Sequence, residues 1–507
     1  METSVEQHVP TISVELSSVY LGDKRLCRRL QGVAEAIAQT PSASLPTIFK
    51  GGAALEGTYR LLRNARVTLP RVLRPHHEAT WERAQKAGSI LALHDTTEFT
   101  FEGETGREGL GPVSGGQGFF AHVALAVTAD GRRRPLGVLG LLPVIRTAKP
   151  KPKPKPKSKR PAAKSGSKAA TKVAKKPSWR VKYDDPNKES LRWLNLVEQV
   201  EAESEGRAEI IHVMDREADD YALLAVLSSP RRFVIRRKHN RVIAPEIPGE
   251  STRKVDDALA EAPYLLERTV KLSARRTDTA APKAQRLYPT RAMRTATLRV
   301  SSARVTLVRP HGLPTTLPAT LALNVVDVQE VGAPEGEKPV CWVLFTSEPV
   351  TTKEQVERVV DIYRARWVIE DYFMALKTGC AFESRQLESA TTLLNLLAIL
   401  VPIAWRLLLL RNLARDDPDA PGSDVLPPSQ LEVLSAVSPK KLPQNPTARD
   451  VFLAVAALGG HIKNNGSPGW RVLARGYQHL LTLEQGWLIA RASLLASSPV
   501  NPRSAKR

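Results

Sequence analysis

At 507 residues the chain is too long for one ordinary core and is expected to divide into about three or four domains. It holds 74 Lys and Arg against 52 Asp and Glu, a net charge of +22 with a pI near 10.0. That excess suits a polyanionic partner, nucleic acid being the commonest, although a solvated basic surface would give the same balance. Three scattered cysteines, Cys27, Cys341 and Cys380, exclude a disulfide framework, show no close zinc-type pair and fit a reducing compartment. The N-terminus carries acids and no apolar core, so it does not read as a secretory signal.

Residues 16–87 read as helical, with Leu26, Leu30, Val33 and Ile37 at helical spacing and Lys24, Arg25, Arg28 and Arg29 among them. A second pattern over 53–63 carries Tyr59, Arg60 and Arg63. Such a basic helical module can grip DNA backbone or can be an amphipathic cap with solvated arginines. Residues 89–95 are an apolar run closing on Asp95 and read as a buried strand tipped by a carboxylate. Two further strands are expected over 119–127 and 134–144.

The segment 149–177 alternates Lys with Pro and then turns Ala/Lys/Ser-rich. It cannot bury a core, and is expected to be an extended, flexible insert that adds nonspecific DNA affinity beyond the role of a plain spacer. The remainder of the chain stays basic without it. A helix over 188–200 leads to 209–215, a second apolar run closing on an acid, Asp215, and then to a strand over 232–236. Strands dominate from 269 to 345 and make a β-rich insert with their flanks. A long helix is expected over 353–377, and 390–497 is mainly helical with Pro-rich breaks. The apolar run 393–410 contains Asn395, Pro402 and Arg406, which are costly in lipid, so a buried core helix is expected there and no membrane contact.

Two strand-tip acids and Glu370 on the long helix are the candidate chemistry. Two-metal phosphoryl transfer needs a carboxylate cluster holding ions about 3.5–4 Å apart, and Mg²⁺ prefers such hard oxygen ligands. At about 100° per residue, Tyr363, Arg366, Glu370 and Lys377 fall within roughly 60° of one another on one helix face. The same face could be an ordinary salt-bridge stripe, since Arg366 and Glu370 form an i,i+4 pair. Arg236 and Lys238, at the end of the 232–236 strand, are candidate backbone contacts or solvated cations. His94 and His212 are expected in the core or behind the acids.

These residues also form a pattern. Tyr363, Arg366, Glu370 and Lys377 spell Tyr-x₂-Arg-x₃-Glu-x₆-Lys; Asp95-Thr96-Thr97 and Asp215-Arg216-Glu217-Ala218-Asp219 precede it; Trp342 lies in Trp-Val-Leu-Phe-Thr-Ser-Glu-Pro. With Gly22-Asp23, Arg25 and the run from Glu56 to Asn64 near the start, and Leu458-Gly459-Gly460 and Gly469-Trp470 near the end, the chain resembles the DDE transposases of the IS-four family, the group that includes the Tn-five transposase. The Lys/Pro segment and the stretch 276–293 depart from that resemblance.

The resemblance implies an α/β ribonuclease H-like catalytic core with an inserted β-rich subdomain, flanked by helical N- and C-terminal domains. The implied bounds are 1–75 for DNA binding, 76–390 for catalysis (the β-rich insertion at about 240–346) and 391–507 for dimerisation. It implies a cytoplasmic, nucleoid-associated enzyme that acts as a homodimer on double-stranded transposon ends and target DNA. Asp95, Asp215 and Glu370 would bind two Mg²⁺, with Mn²⁺ able to substitute. Cleavage would run through a hairpin, and the 3′ ends would then be joined to target. Tyr363, Arg366 and Lys377 would hold phosphates and Trp342 would stack on a flipped base, with Tyr59, Arg60 and Arg63 in the N-terminal DNA contact. A plain metal-dependent nuclease of the same fold, or a non-catalytic DNA-binding descendant, are the alternatives.

Overall fold

A computed structural model describes residues 11–497 except 104–105, 148–190, 229, 246–250, 273, 276–288 and 463–465. The expected insert over 149–177 lies outside the described residues. The chain opens with five helices: α1 (Ile12–Glu15), α2 (Lys24–Gln39), α3 (Leu45–Ile48), α4 (Gly52–Arg63) and α5 (Leu69–Ala87). Asp23 starts α2 by accepting from the Arg25 and Leu26 amides, and the helix buries Leu30, Val33, Ala34, Ile37 and Ala38 on one stripe.

Strands β1 (Ser89–Phe101), β2 (Gly111–Val113), β3 (Gly116–Thr128) and β4 (Pro135–Val144) follow. Then come α6 (Leu191–Ser204), β5 (Glu209–Met214), α7 (Tyr221–Leu227), β6 (Arg232–Arg236), β7 (Val242–Ile243), β8 (Arg253–Lys254), α8 (Val255–Glu261), β9 (Tyr264–Leu272), β10 (Arg294–Val308), β11 (Thr320–Val331) and β12 (Cys341–Thr346). All twelve belong to one sheet, ordered β2-β3-β1-β5-β6-β12-β11-β10-β7-β8, with β4 also on β3 and β9 also on β10. The β-rich stretch is therefore not a detached layer. Antiparallel pairing of β12 with β6, Phe345 opposite Ile235, joins it to the strands that carry the acids and leaves no open edge between them.

Strand β1 does not end on Asp95. Thr96 to Phe101 continue as an alternating polar–apolar run paired with β3 as far as Phe101 opposite Gln117, burying Phe99 and Phe101. Only the parallel pairing with β5 stops at His94, opposite Met214. Asp95 thus sits where two neighbouring strands part, not at a free tip.

The helical remainder is α9 (Lys353–Ala365), α10 (Trp367–Met374), a π turn over Ala375–Gly379, α11 (Ala390–Asp416), α12 (Pro428–Val437), α13 (Ala448–Leu458) and α14 (Trp470–Ser497). Helix α11 is long and apolar enough to cross a bilayer, with mean hydropathy 2.2 in its most apolar window, but 94% of that window is buried inside the protein. Its polar residues find partners there: Asn395 donates to the Leu62 carbonyl at 2.9 Å and Arg406 to the Tyr477 hydroxyl at 2.5 Å. Trp405 donates to the Pro135 carbonyl of β4 at 3.1 Å. Helices α13 and α14 touch backbone to backbone: a Cβ on Gly476 would stand 1.7 Å from the Val455 carbonyl oxygen, and one on Gly459 2.0 Å from that of Val472.

A buried polar knot ties the N-terminal helices to the sheet. The Val138 amide donates to His76 Nε2 at 3.0 Å, so Nδ1 carries the ring proton and donates to Glu15. Arg83 donates to both Glu15 oxygens (2.9 and 3.1 Å) and to the Leu136 carbonyl, and its guanidinium stacks 4.1 Å from the Trp405 ring centre. Burial alone would raise the Glu15 carboxyl, but the His76 hydrogen bond and the Arg83 charge reverse this and hold it at about 2.

Candidate active site

Parallel register brings two of the three acids together. Asp95 and Asp215 each lie one residue beyond the His94–Met214 pair, on strands about 4.8 Å apart. Asp215 caps a short 3₁₀ turn, Arg216–Ala218, by accepting from the Glu217 amide at 2.7 Å. Asp95 accepts from the Thr96 amide at 2.7 Å. Glu370 arrives from the first turn of α10. Arg366, at the joint between α9 and α10, draws it in: its guanidinium donates to Asp95 Oδ2 at 2.9 Å and to Glu370 Oε1 at 2.7 Å, with only 8% of its side chain exposed.

The electrostatics record this crowding. Burial pushes the Asp95 carboxyl up to about 6; Arg366 opposes the rise, and Asp215 and Glu370 add to it. Burial likewise raises Glu370, with Arg366 opposing and Asp215 adding. Arg366 is raised by Tyr363, Asp95 and Glu370 against the cost of its own burial. Three mutually repelling carboxylates are the donor chemistry a hard divalent cation requires. Yet among the described residues no three His, Cys, Asp or Glu side chains converge closely enough to ligate one ion, because the guanidinium stands between Asp95 and Glu370. The donor set fits a metal; the space is taken by Arg366.

The helix face expected to carry Tyr363, Arg366, Glu370 and Lys377 is not one uninterrupted α-helix. It breaks at Arg366 and widens into the π turn, where the Cys380 amide bonds the Ala375 carbonyl. Single π turns recur at functional sites. The extra residue rotates Lys377 off the simple 100° progression, and its ammonium donates to the Glu98 carbonyl of β1 at 2.6 Å. Tyr363 is buried, packed edge-on to Trp342 with ring centres 5.3 Å apart and hydrogen-bonded to Arg236. Trp342 is half-buried on β12. Arg236 also donates to the Cys341 carbonyl at 3.0 Å, so it belongs to this cluster, whereas the Lys238 side chain is exposed.

Two further residues belong to the site's surroundings although the sequence motifs do not single them out. Asp219, the last acid of the Asp-Arg-Glu-Ala-Asp run, is buried and moors the basic turn after β6: it accepts from the Lys238 and His239 amides at 2.7 and 2.8 Å and pairs with Arg241. Its place in that run is the signal that could have found it. Trp367 stands 53% exposed with Arg366 5.1 Å from its ring centre, an aromatic beside the site that periodicity alone assigns to neither core nor surface.

Behind the acids lies a buried imidazole group. His94 Nε2 and His212 Nδ1 are 2.9 Å apart, His212 Nε2 pairs with Glu201 at 2.9 Å, and His122 meets the Thr96 hydroxyl at 2.9 Å. Burial lowers all three rings. The strand pleat points His94 away from Asp95. Far from this centre, Tyr59 packs on the core, Arg60 pairs with Glu56 along α4, and Arg63 reaches Glu388 at 2.9 Å. Nearby, Tyr20, Arg66, Arg71 and Arg74 line a recess between the turn before α2 and the start of α5.

Among solved structures, a cryo-electron microscopy structure of a piggyBac transposase synaptic complex with hairpin DNA overlaps 98% of this chain and 79% of its own at 8% identity, with a TM-score of 0.31, too loose to bear on fold or function. The family matches are specific. Residues 11–67 match the transposase DNA-binding family, and residues 188–402, which include Asp215, Trp342 and the Tyr363–Lys377 face, match the transposase DDE domain. The chain carries a transposase DNA-binding domain followed by a DDE domain, the domain content of a DDE transposase.

Proposed function

We propose that this DDE transposase works by cut-and-paste. It would bind double-stranded transposon ends, cleave them through a DNA hairpin and join the 3′ ends to target DNA, as the IS-four family does. The observation that carries this reading is the grouping of Asp95 and Asp215 side by side where strands β1 and β5 part, with Glu370 tied to Asp95 through Arg366, within a chain that holds both transposase domains. The order β4-β3-β1-β5-β6, antiparallel up to β1 and parallel after it, supports a ribonuclease H-like core for residues 76–390, with 1–75 and 391–507 as flanking domains.

Asp95, Asp215 and Glu370 would hold two Mg²⁺ or Mn²⁺. Bound there, divalent ions polarise the scissile phosphate and make a neutral-pH nucleophile available. The protein's own groups do the holding. Arg366 offers a planar pair of N–H donors matched to phosphate, and Lys377 a point charge. Arg236 and Tyr363, already bonded to each other, place a cation and a hydroxyl beside them. Trp342 presents an aromatic face worth about 1–3 kcal/mol to an unstacked base. Lys238 and the N-terminal Tyr59, Arg60 and Arg63 extend the backbone contacts.

A homodimer is supported by α14, where Leu488, Ile489 and Leu494 stand exposed on one helix. A DNA partner would put the work in the cytoplasm, on the nucleoid. The test is to incubate the purified chain with DNA from the element's ends and Mg²⁺ and resolve the products. Nicks, hairpins and joined target support the proposal. Cleavage without joining would leave a plain nuclease, and binding without cleavage a non-catalytic descendant.

A further inference from the structure

Arg366 is placed where a metal ion would have to be. Its two terminal nitrogens claim Asp95 Oδ2 and Glu370 Oε1, oxygens a bridging cation would also need. At 2.9 and 2.7 Å the guanidinium competes with a divalent ion for those oxygens and sets a positive charge against it. We infer that Arg366 is the resident counter-cation of the metal-free site, closing it until a DNA phosphate draws the guanidinium away. This rests on the proposed metal role of the three acids.

Three observations support the idea of a displaceable plug. Removing Arg366 without replacement would leave Asp95, Asp215 and Glu370 repelling one another in a largely buried place, so the free protein gains from a built-in cation. The side-chain hydrogen bonds of the plug run to the acids: Arg366 Nε is buried with no hydrogen-bond partner, so no third such bond locks the side chain inward. Its neighbour on the outer side, Trp367, is half exposed. Phosphate satisfies a guanidinium as well as a carboxylate does, so a strand arriving at the site offers Arg366 an equivalent partner and frees two carboxylates at once. DNA and metal then favour each other's binding, and the coupling is reciprocal. Without DNA the centre takes metal only weakly.

The experiment measures Mn²⁺ binding to the full-length chain by the loss of the free-ion electron paramagnetic resonance signal, with and without a saturating unlabelled duplex, after subtracting Mn²⁺ held by duplex alone. The wild type is expected to bind weakly alone and about 10-fold more tightly with duplex, within the usual range of coupling between sites. Arg366→Ala and Arg366→Gln are expected to bind Mn²⁺ tightly without duplex and to gain less than about twofold from it. Thermal melting keeps the outcome readable if a variant folds poorly: both variants should melt below wild type in EDTA, and Mn²⁺ should restore them more than it raises wild type. Asp215→Ala separates the two ideas. If it binds Mn²⁺ as wild type does, the metal reading itself fails. If it loses Mn²⁺ while Arg366→Ala binds no more tightly than wild type, the metal reading stands and the counter-cation inference is overturned.

Discussion

Replacing Glu15 by Gln removes one charge from the knot that joins α1, α5 and β4 while keeping the side chain's volume and an acceptor for His76. The carboxyl is held at about 2 against an ordinary 4.5, with 1% of its side chain exposed. A difference of about 2.5 units, at about 1.4 kcal/mol each, corresponds to about 3 kcal/mol of stability. Because the folded value is depressed, that stability is fully present above pH 4.5 and is lost as pH falls towards 2. Urea unfolding of wild type and Glu15→Gln at several pH values below the histidine range isolates this contribution, since titrating groups not coupled to Glu15 cancel in the difference. The gap is expected to be about 3 kcal/mol at the upper end of that range and to shrink by roughly half by pH 3. A gap that stays constant with pH, or no gap at the upper end, refutes the reasoning.

With Asp215 as a metal ligand, as proposed, Asp215→Ala is expected to lower Mg²⁺-dependent cleavage by about 10³-fold or more, the loss of several kcal/mol of metal-supplied stabilisation, while filter binding to duplex DNA stays near wild type. Gly476→Ala puts a methyl 1.7 Å from the Val455 carbonyl, so α13 and α14 must separate; a cost of about 1–3 kcal/mol is expected as a lower melting temperature, and a wild-type melt contradicts the packing. Deleting residues 149–177 is expected to flatten the salt dependence of nonspecific DNA binding by about 0.9 in log–log slope for each DNA phosphate that its lysines neutralise, with cleavage chemistry retained; an unchanged slope leaves the segment a plain spacer.

The elements were largely legible because their patterns are local. Apolar runs marked β1 and β5, and helical spacing marked α2 and α9. Asn395, Pro402 and Arg406 kept α11 from reading as a membrane span, and the structure shows partners for Asn395 and Arg406. What depends on pairing was hidden. That β1 runs on past Asp95 follows from its partner β3, although the alternation Thr96–Phe101 hinted at it. That β12 joins β6 follows from a long-range register no window reveals. The helix face failed as plain arithmetic because a break and a π turn change the angle per residue. The acids could be named from strand endings and resemblance, but the guanidinium seated between two of them could not, since i,i+4 spacing explains its bond to Glu370 and says nothing of Asp95.

The placement of the acids gives the site one rigid jaw and one sliding jaw. Asp95 rides on β1 in the middle of a twelve-stranded sheet, and Asp215 follows directly on the end of β5, each one residue beyond the His94–Met214 pair. Asp95 cannot move without tearing its pairing with β3, and Asp215 is held by the end of β5 and by its cap on the Arg216–Ala218 turn. Glu370 rides on an eight-residue helix bounded by the joint at Arg366 and by the π turn at its far end, outside any strand ladder. Under the proposed course of nicking, hairpin formation and joining, any adjustment to a changing phosphate geometry would therefore fall to the helix. Substitutions that stiffen the 366 or 375–379 joints should then affect the later steps more than the first nick, because only the sliding jaw has to follow the reaction.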